Sequence, residues 1–122
     1  MSSFKMNILT EDGKSPVIVL GGEVDVNSAP QLERQMIDLL EAGAKAAIVD
    51  LTSAEYLDST ALRIHTGGLK KFREEKGGDL LLVCGQNVRI RRVFEITGLD
   101  KIFGIYDTIA DAQAALAAKA TT

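Results

Sequence analysis

The 122-residue chain, 46% apolar and 25% charged, fits one soluble domain over residues 1–122 and can bury a core without staples. Its formal charge of −3 argues against nucleic-acid binding, because helical spacing scatters Arg89, Arg91 and Arg92, the one basic concentration. No apolar stretch approaches the roughly 20 residues that span a bilayer, and lone Cys84 and lone His65 make neither an internal disulfide nor a metal-ligand set.

Phe4, Met6 and Ile8 alternate with polar neighbours like a half-exposed strand, not a signal peptide, and Glu11–Pro16 is a turn by composition. Val17–Leu20 then reads as a short, fully apolar strand, so two strands precede any helix. Asn27 or Ser28 caps the first helix. Ser28 with Gln31 makes a capping-box pattern, and Pro30 suits the first turn. Leu32, Met36, Leu39 and Leu40 follow at helical spacing until Gly43, and Ala46–Leu51 is the next strand.

A helix from Ser59 to about Glu75 carries Leu62, His65, Leu69 and Phe72 on one face, with Ala61 and Ile64 beside them, and stops at Gly77–Gly78. Asp79–Val83 continues into Cys84 as a buried apolar strand. Val88 to about Thr97 is a third helix, with Val93, Ile96 and Leu99 as its inner side. Ile102–Tyr106 makes a short edge strand, Thr108 caps an alanine-rich last helix, and Thr121–Thr122 frays. The order β-β-α-β-α-β-α-β-α predicts an α/β fold with a mixed, mostly parallel sheet of about five strands. Its first pair is antiparallel, its helices pack mainly on one face, and its core runs from about residue 4 to 118.

Function in open α/β sheets collects where strands end and helices begin. Two segments qualify, Gly21–Ser28 and Thr52–Ser59, and they place Asp25, Asp58 and Ser59 on one rim. Along the helix, Ser59, Arg63, Thr66 and Lys70 form an outward stripe with Gly67 beside it, low enough in relief for another protein to approach closely. Taken as residues alone, Ser59 and Asp58 are either helix-cap residues or a modification site at the positive end of a helix dipole. Asp25 is either a turn former or part of that site. His65 reads as a packed, hydrogen-bonded core histidine and Cys84 as a small apolar residue.

The segments Gly22-Glu23-Val24-Asp25, Ala29-Pro30-Gln31-Leu32, Ile48-Val49-Asp50-Leu51, Tyr56-Leu57-Asp58-Ser59-Thr60-Ala61-Leu62, Thr97-Gly98-Leu99 and Ile105-Tyr106-Asp107 resemble the STAS family. These are the sulfate transporter and anti-sigma factor antagonist domains, and the likeness is greatest to the stand-alone bacterial antagonists. The resemblance implies a non-enzymatic partner switch in the cytoplasm that regulates transcription. Unphosphorylated, the chain would bind an anti-sigma factor that is also a GHKL-type serine kinase. Phosphorylated on Ser59, it would let go, and a PP2C-type phosphatase would reset it. Asp25, Asp58, Ser59, Thr60, Arg63, Thr66 and Gly67 are the expected partner-binding residues, with no cofactor, metal, nucleic acid or membrane involved. Ala61 departs from the glycine frequent in the family, and its methyl group is expected to narrow the choice of partner.

Three other readings compete. The same fold serves as a scaffold or regulator in secretion, stress-sensing assemblies or lipid transport, without phosphorylation. A phosphoaspartate receiver using Asp50 or Asp58 would need a helix between its first two strands, where this chain has Gly13-Lys14-Ser15. A small enzyme would need a nucleophile elbow, a phosphate loop or a dinucleotide fingerprint, and none is present.

Overall fold

A computed structural model describes residues 3–120, so the expected fraying of Thr121–Thr122 lies outside the described residues. The elements run β1 (Lys5–Leu9), β2 (Val17–Val24), α1 (Ala29–Glu41), β3 (Ala46–Leu57), α2 (Ser59–Lys76), β4 (Asp79–Val83), α3 (Val88–Ile96), a 3-10 turn (Leu99–Lys101), β5 (Ile105–Tyr106) and α4 (Ile109–Ala120). The strands lie in sequence order in one sheet. β1 pairs antiparallel with β2, and every other neighbour is parallel. This hairpin stands where a receiver would need a strand–helix–strand start.

Alternation along the strands sorts their side chains between two cores. Ile18, Leu20, Val49, Leu51, Leu80 and Leu82 face one side and meet Leu32 and Met36 of α1, Leu69 and Phe72 of α2, and Ile90 and Phe94 of α3. Val17, Ile48, Leu81 and Val83 face the other side, where α4 covers them with Ala112, flanked by Ile109 and Leu116. Three helices therefore share one face and the fourth takes the other. Gln113 fastens α4 to the β1–β2 turn, its Nε2 donating to Ser15 O at 2.8 Å while its Oε1 accepts from Ser15 N at 3.1 Å. Buried Asp79 ties α2 to α4 by accepting from Arg73 Nε at 3.2 Å and from Lys119 Nζ.

Four local expectations need correction. β2 and β3 do not stop at Leu20 and Leu51 but run on together to Val24 and Leu57. They pair through Gly21↔Ser53 to Val24↔Leu57, beyond the last β3–β4 pair, Asp50↔Val83, and past the β1–β2 pair Lys5↔Gly21 they continue as a two-stranded ribbon. The free flank of this ribbon is tied by Asn87, whose Nδ2 donates to Leu51 O at 2.9 Å and Ala54 O at 2.7 Å. Secondly, Ser28 stands at the N-cap of α1 but makes no side-chain cap bond.

The inner side of α3 is Ile90 and Phe94, whereas Val93 is half-buried and Ile96 is 73% exposed. Phe94 wins that face because it packs edge-on against both Phe103 and His65. Finally, Leu62 packs against the core as expected but only half-buried, and Gly68, not expected there, takes a deep position on α2, close against Met36 and Leu80.

The ribbon carries two register slips, each placing one extra residue on β3. The β2–β3 register slips on either side of Gly21-Gly22, and Gly22 adopts φ +75°, a left-handed conformation that glycine takes without steric cost. A Cβ there would also stand 1.9 Å from the Ser3 carbonyl oxygen, which no side-chain rotation relieves. Gly22→Ala should therefore lower unfolding free energy by roughly 2 kcal/mol or more. A urea midpoint equal to wild type would contradict this.

Candidate functional site

The extended ribbon delivers two strand ends side by side, Val24 and Leu57, and each chain then turns into a helix. The two connections are much shorter than the sequence suggests. Asp58 alone joins β3 to α2, and residues 25–28 join β2 to α1.

Asp58 holds both together. Its backbone is extended at φ −91° and ψ −178°, the geometry of an N-cap, and its Oδ1 accepts from Ala61 N at 2.9 Å. Its other oxygen, Oδ2, reaches across to accept from Val26 N, also at 2.9 Å. Asp58 N in turn donates to Val24 O at 3.2 Å.

Asp25 organises the neighbouring loop. Its Oδ1 accepts from Asn27 N at 2.9 Å and Ser28 N at 3.2 Å, and its main-chain oxygen accepts from Ala29 N at 2.7 Å. Ser28 Oγ returns the contact, accepting from Asp25 N at 3.0 Å and donating to Glu23 O. That engagement is why Ser28 is not free to cap α1 in the expected way.

Ser59 follows Asp58 as the first residue of α2, exposed, and its hydroxyl takes no hydrogen bond among the described residues. The positive end of an 18-residue helix lies behind it. Arg63, one turn on, and Gly67 are exposed, while Thr60 is half-buried. Thr66 is half-buried too and spends its hydroxyl on Leu62 O at 2.9 Å.

The structure thus brings Asp25, Asp58 and Ser59 together and strings Thr60, Arg63, Thr66 and Gly67 along the adjoining helix. Ala61 differs from expectation. Its side chain is fully buried, so the methyl group fills the core and cannot touch a partner. Val26, 61% exposed, and Tyr56, 52% exposed, stand at the same rim. Sequence reasoning passed over both, since apolar residues in a mixed stretch carry no signal of exposure.

Beneath the site lies His65, fully buried, with Nδ1 2.7 Å from Ala61 O and Nε2 without a partner among the described residues. The bond to a carbonyl requires Nδ1 to carry the proton and donate it. Burial pushes its pKa below the ordinary histidine value, and the Ala61 carbonyl only partly opposes this. His65 is a core residue and cannot act as a base for Ser59. Burial also pushes the Cys84 thiol up to about 11, with Arg91 pulling it down and Asp50 pushing further up, so it stays a thiol at neutral pH. A cavity of about 910 Å³ opens at the opposite rim, beside Lys45, Asp79 and Gln113, and none of the expected site residues lines it.

A mixed five-stranded sheet with three helices on one face and one on the other defines a small single-domain α/β protein, and its rim presents one serine. The family model of the STAS domain matches residues 6–112, and the chain belongs to that family. It is 33% identical over 96 residues to the anti-sigma-B factor antagonist of Staphylococcus aureus strain NCTC 8325, covering 79% of this chain and 87% of that protein. Among solved structures, an anti-sigma factor antagonist from Mycobacterium paratuberculosis superposes with a TM-score of 0.81 at 31% identity, over 93% of this chain and 94% of the other. SpoIIAA in its unphosphorylated form shares the fold, with a TM-score of 0.66 at 18% identity over 90% of this chain and 93% of its own. All three carry the name of anti-sigma factor antagonist.

Two outcomes follow from the geometry. Asp58→Ala removes an N-cap and the tie to Val26, so unfolding free energy should fall by about 1–2 kcal/mol and the Val26 amide should exchange faster. Unchanged exchange at Val26 would contradict the cross-loop bond. For His65, the folded protein refuses a proton that the unfolded chain takes up below about pH 6.5. Stability is therefore complete above that value and falls as pH drops through it, by at most about 1.4 kcal/mol per pH unit. His65→Leu should show a smaller loss of urea midpoint than wild type between about pH 7.5 and about pH 5.5. Equal losses would show that His65 is not the titrating group.

Proposed function

We propose that this chain is an anti-sigma factor antagonist that works by partner switching. With Ser59 unmodified it binds, in the cytoplasm, an anti-sigma factor that is also a GHKL-type serine kinase, and so frees a sigma factor. That kinase phosphorylates Ser59, the complex separates, and a PP2C-type phosphatase restores the binding form. The names of the two relatives above 30% identity support the class. The observation that carries the switch is the exposed, uncommitted hydroxyl of Ser59 at the start of α2.

The energetics favour a switch at this atom. A phosphate adds about −1.5 to −2 charges. Against the N-terminus of α2 that charge gains roughly 0.3–1 kcal/mol, so the free protein accommodates it. A partner that covers the same dianion must strip its water at a cost of several kcal/mol. Each ~1.4 kcal/mol is a tenfold loss of affinity, so the complex is what fails. Ser59, Thr60, Arg63, Thr66 and Gly67 provide the contact stripe, and Asp25 and Asp58 hold its approach in shape. Arg63 is placed one helical turn from Ser59, within reach of a phosphate there.

Calorimetric titration against the purified anti-sigma factors encoded in the same genome tests the proposal. Ser59→Ala should bind its cognate factor at least as tightly as wild type and resist phosphorylation, while Ser59→Asp should bind at least about tenfold more weakly. Wild-type affinity for both variants would contradict it.

A further inference from the structure

We infer that Asn87 is a positioning residue for Ser59: it fixes the register in which the end of β3 delivers Asp58 beside the loop after β2. This rests on the partner-switching reading above and extends it to a residue far from the expected stripe. β3 outruns β4 after the pair Asp50↔Val83, so the flank it turned to β4 has no strand to hold it. Asn87 stands there instead. Its Nδ2 donates to Leu51 O at 2.9 Å and Ala54 O at 2.7 Å, with Thr52 O at 3.3 Å. Three carbonyl oxygens around one terminal atom identify it as the amide nitrogen.

Those carbonyls lie at the two places where β3 gains a residue on β2. From Val19↔Asp50 to Gly21↔Ser53, β3 advances three residues while β2 advances two, and Leu51 and Thr52 fall within that step. From Gly22↔Ala54 to Glu23↔Tyr56, β3 advances two while β2 advances one, and Ala54 begins that step. Asp50 also fixes the first step, its Oδ1 accepting from Thr52 N at 3.0 Å. A slip of one residue turns every later side chain to the opposite face. The two steps therefore decide whether Asp58 meets Val26 N, the bond that joins the rim.

Asn87 is itself held fast. Its Oδ1 accepts from Ile90 N at 3.3 Å as the N-cap of α3, and its main-chain N–H donates to Cys84 O at 2.9 Å. Buried Ile90 and Phe94 anchor that helix in the core. The constraint thus runs from the core through one amide side chain to the strand that ends at Asp58. The two tasks need a donor and an acceptor at the tip of one short side chain. Aspartate has the same shape but no donor, so Asn87→Asp keeps the cap on α3 and sets a carboxylate against three carbonyl oxygens.

The test uses the full chain, by hydrogen exchange of the free protein and by calorimetric titration against the purified cognate anti-sigma factor. Asn87→Asp should speed exchange of the Val26 amide at least about tenfold and weaken binding at least about tenfold, while the Ile90 amide stays protected. Asn87→Ser also caps a helix but is too short to reach the ribbon, so it should match Asn87→Asp and stands in for it if that variant does not fold. Leu116→Ala, on the opposite face of the sheet, controls for lost stability alone. Its urea midpoint should fall while Val26 exchange and affinity stay at wild type. Wild-type exchange at Val26, or wild-type affinity, in the Asn87 variants would overturn the positioning role. Wild-type affinity of Ser59→Asp beside weak binding by Asn87→Asp would overturn the phosphorylation switch and leave Asn87 as the residue that shapes the binding rim. No binding by the wild-type chain would overturn both.

Discussion

The Asp58 carboxylate sits where a strand, a helix and a foreign loop converge, and its two oxygens serve different masters. Oδ1 satisfies Ala61 N, one of the backbone donors that the start of a helix leaves unpaired. Oδ2 crosses to Val26 N and fixes the adjacent loop. Without this carboxylate α2 would lose its cap and the loop after β2 would lose its side-chain tie to the start of α2. The arrangement is possible because β2 and β3 stay paired to Val24 and Leu57, far past the rest of the sheet. Two extra residues on β3, one on each side of the pairs Gly21↔Ser53 and Gly22↔Ala54, set the register in which those ends arrive abreast. The proposed regulation at Ser59 would therefore rest on strand pairing, then on one carboxylate, and only then on the hydroxyl itself.

The layer below the rim is as rigid as the rim is polar. Ala61 and His65 are fully buried under the first turns of α2, and Phe94 closes the space against the His65 ring. A charge added at Ser59 thus meets a helix end that cannot easily yield inward. Its consequences fall on whatever lies outside. The proposed switch needs no rearrangement of the fold, since the proposed binding surface includes the Ser59 hydroxyl itself.

Much of this was legible in the residues. The apolar runs Val17–Leu20, Ala46–Leu51 and Asp79–Val83, separated by helical periodicity, determine the sheet and its mostly parallel order. The stretch Tyr56–Leu62 marks the candidate site, because its Asp-Ser stands at the entry to an apolar-faced helix, where Asp58 is found as the cap. The overrun of β3 was hidden, since Thr52, Ser53 and Glu55 lie in a ribbon exposed to water and read as loop. The cap pattern at Ser28 was real in sequence but pre-empted by Asp25, a competition that only three-dimensional proximity decides. For α3, two apolar stripes were available, and contact of Phe94 with Phe103 and His65 selects the one that is buried. Val26 left no trace, because exposure of an apolar side chain is a property of the fold rather than of the residue.

Hydrogen exchange of the free chain and of its complex with the cognate anti-sigma factor tests the central claim most directly. If one rim holds both the binding surface and the switch, added protection should concentrate at residues 25–28 and 58–63. Protection confined to α4, or to the opposite rim around Lys45 and Asp79, would show that the partner binds elsewhere and that Ser59 cannot control it by being covered.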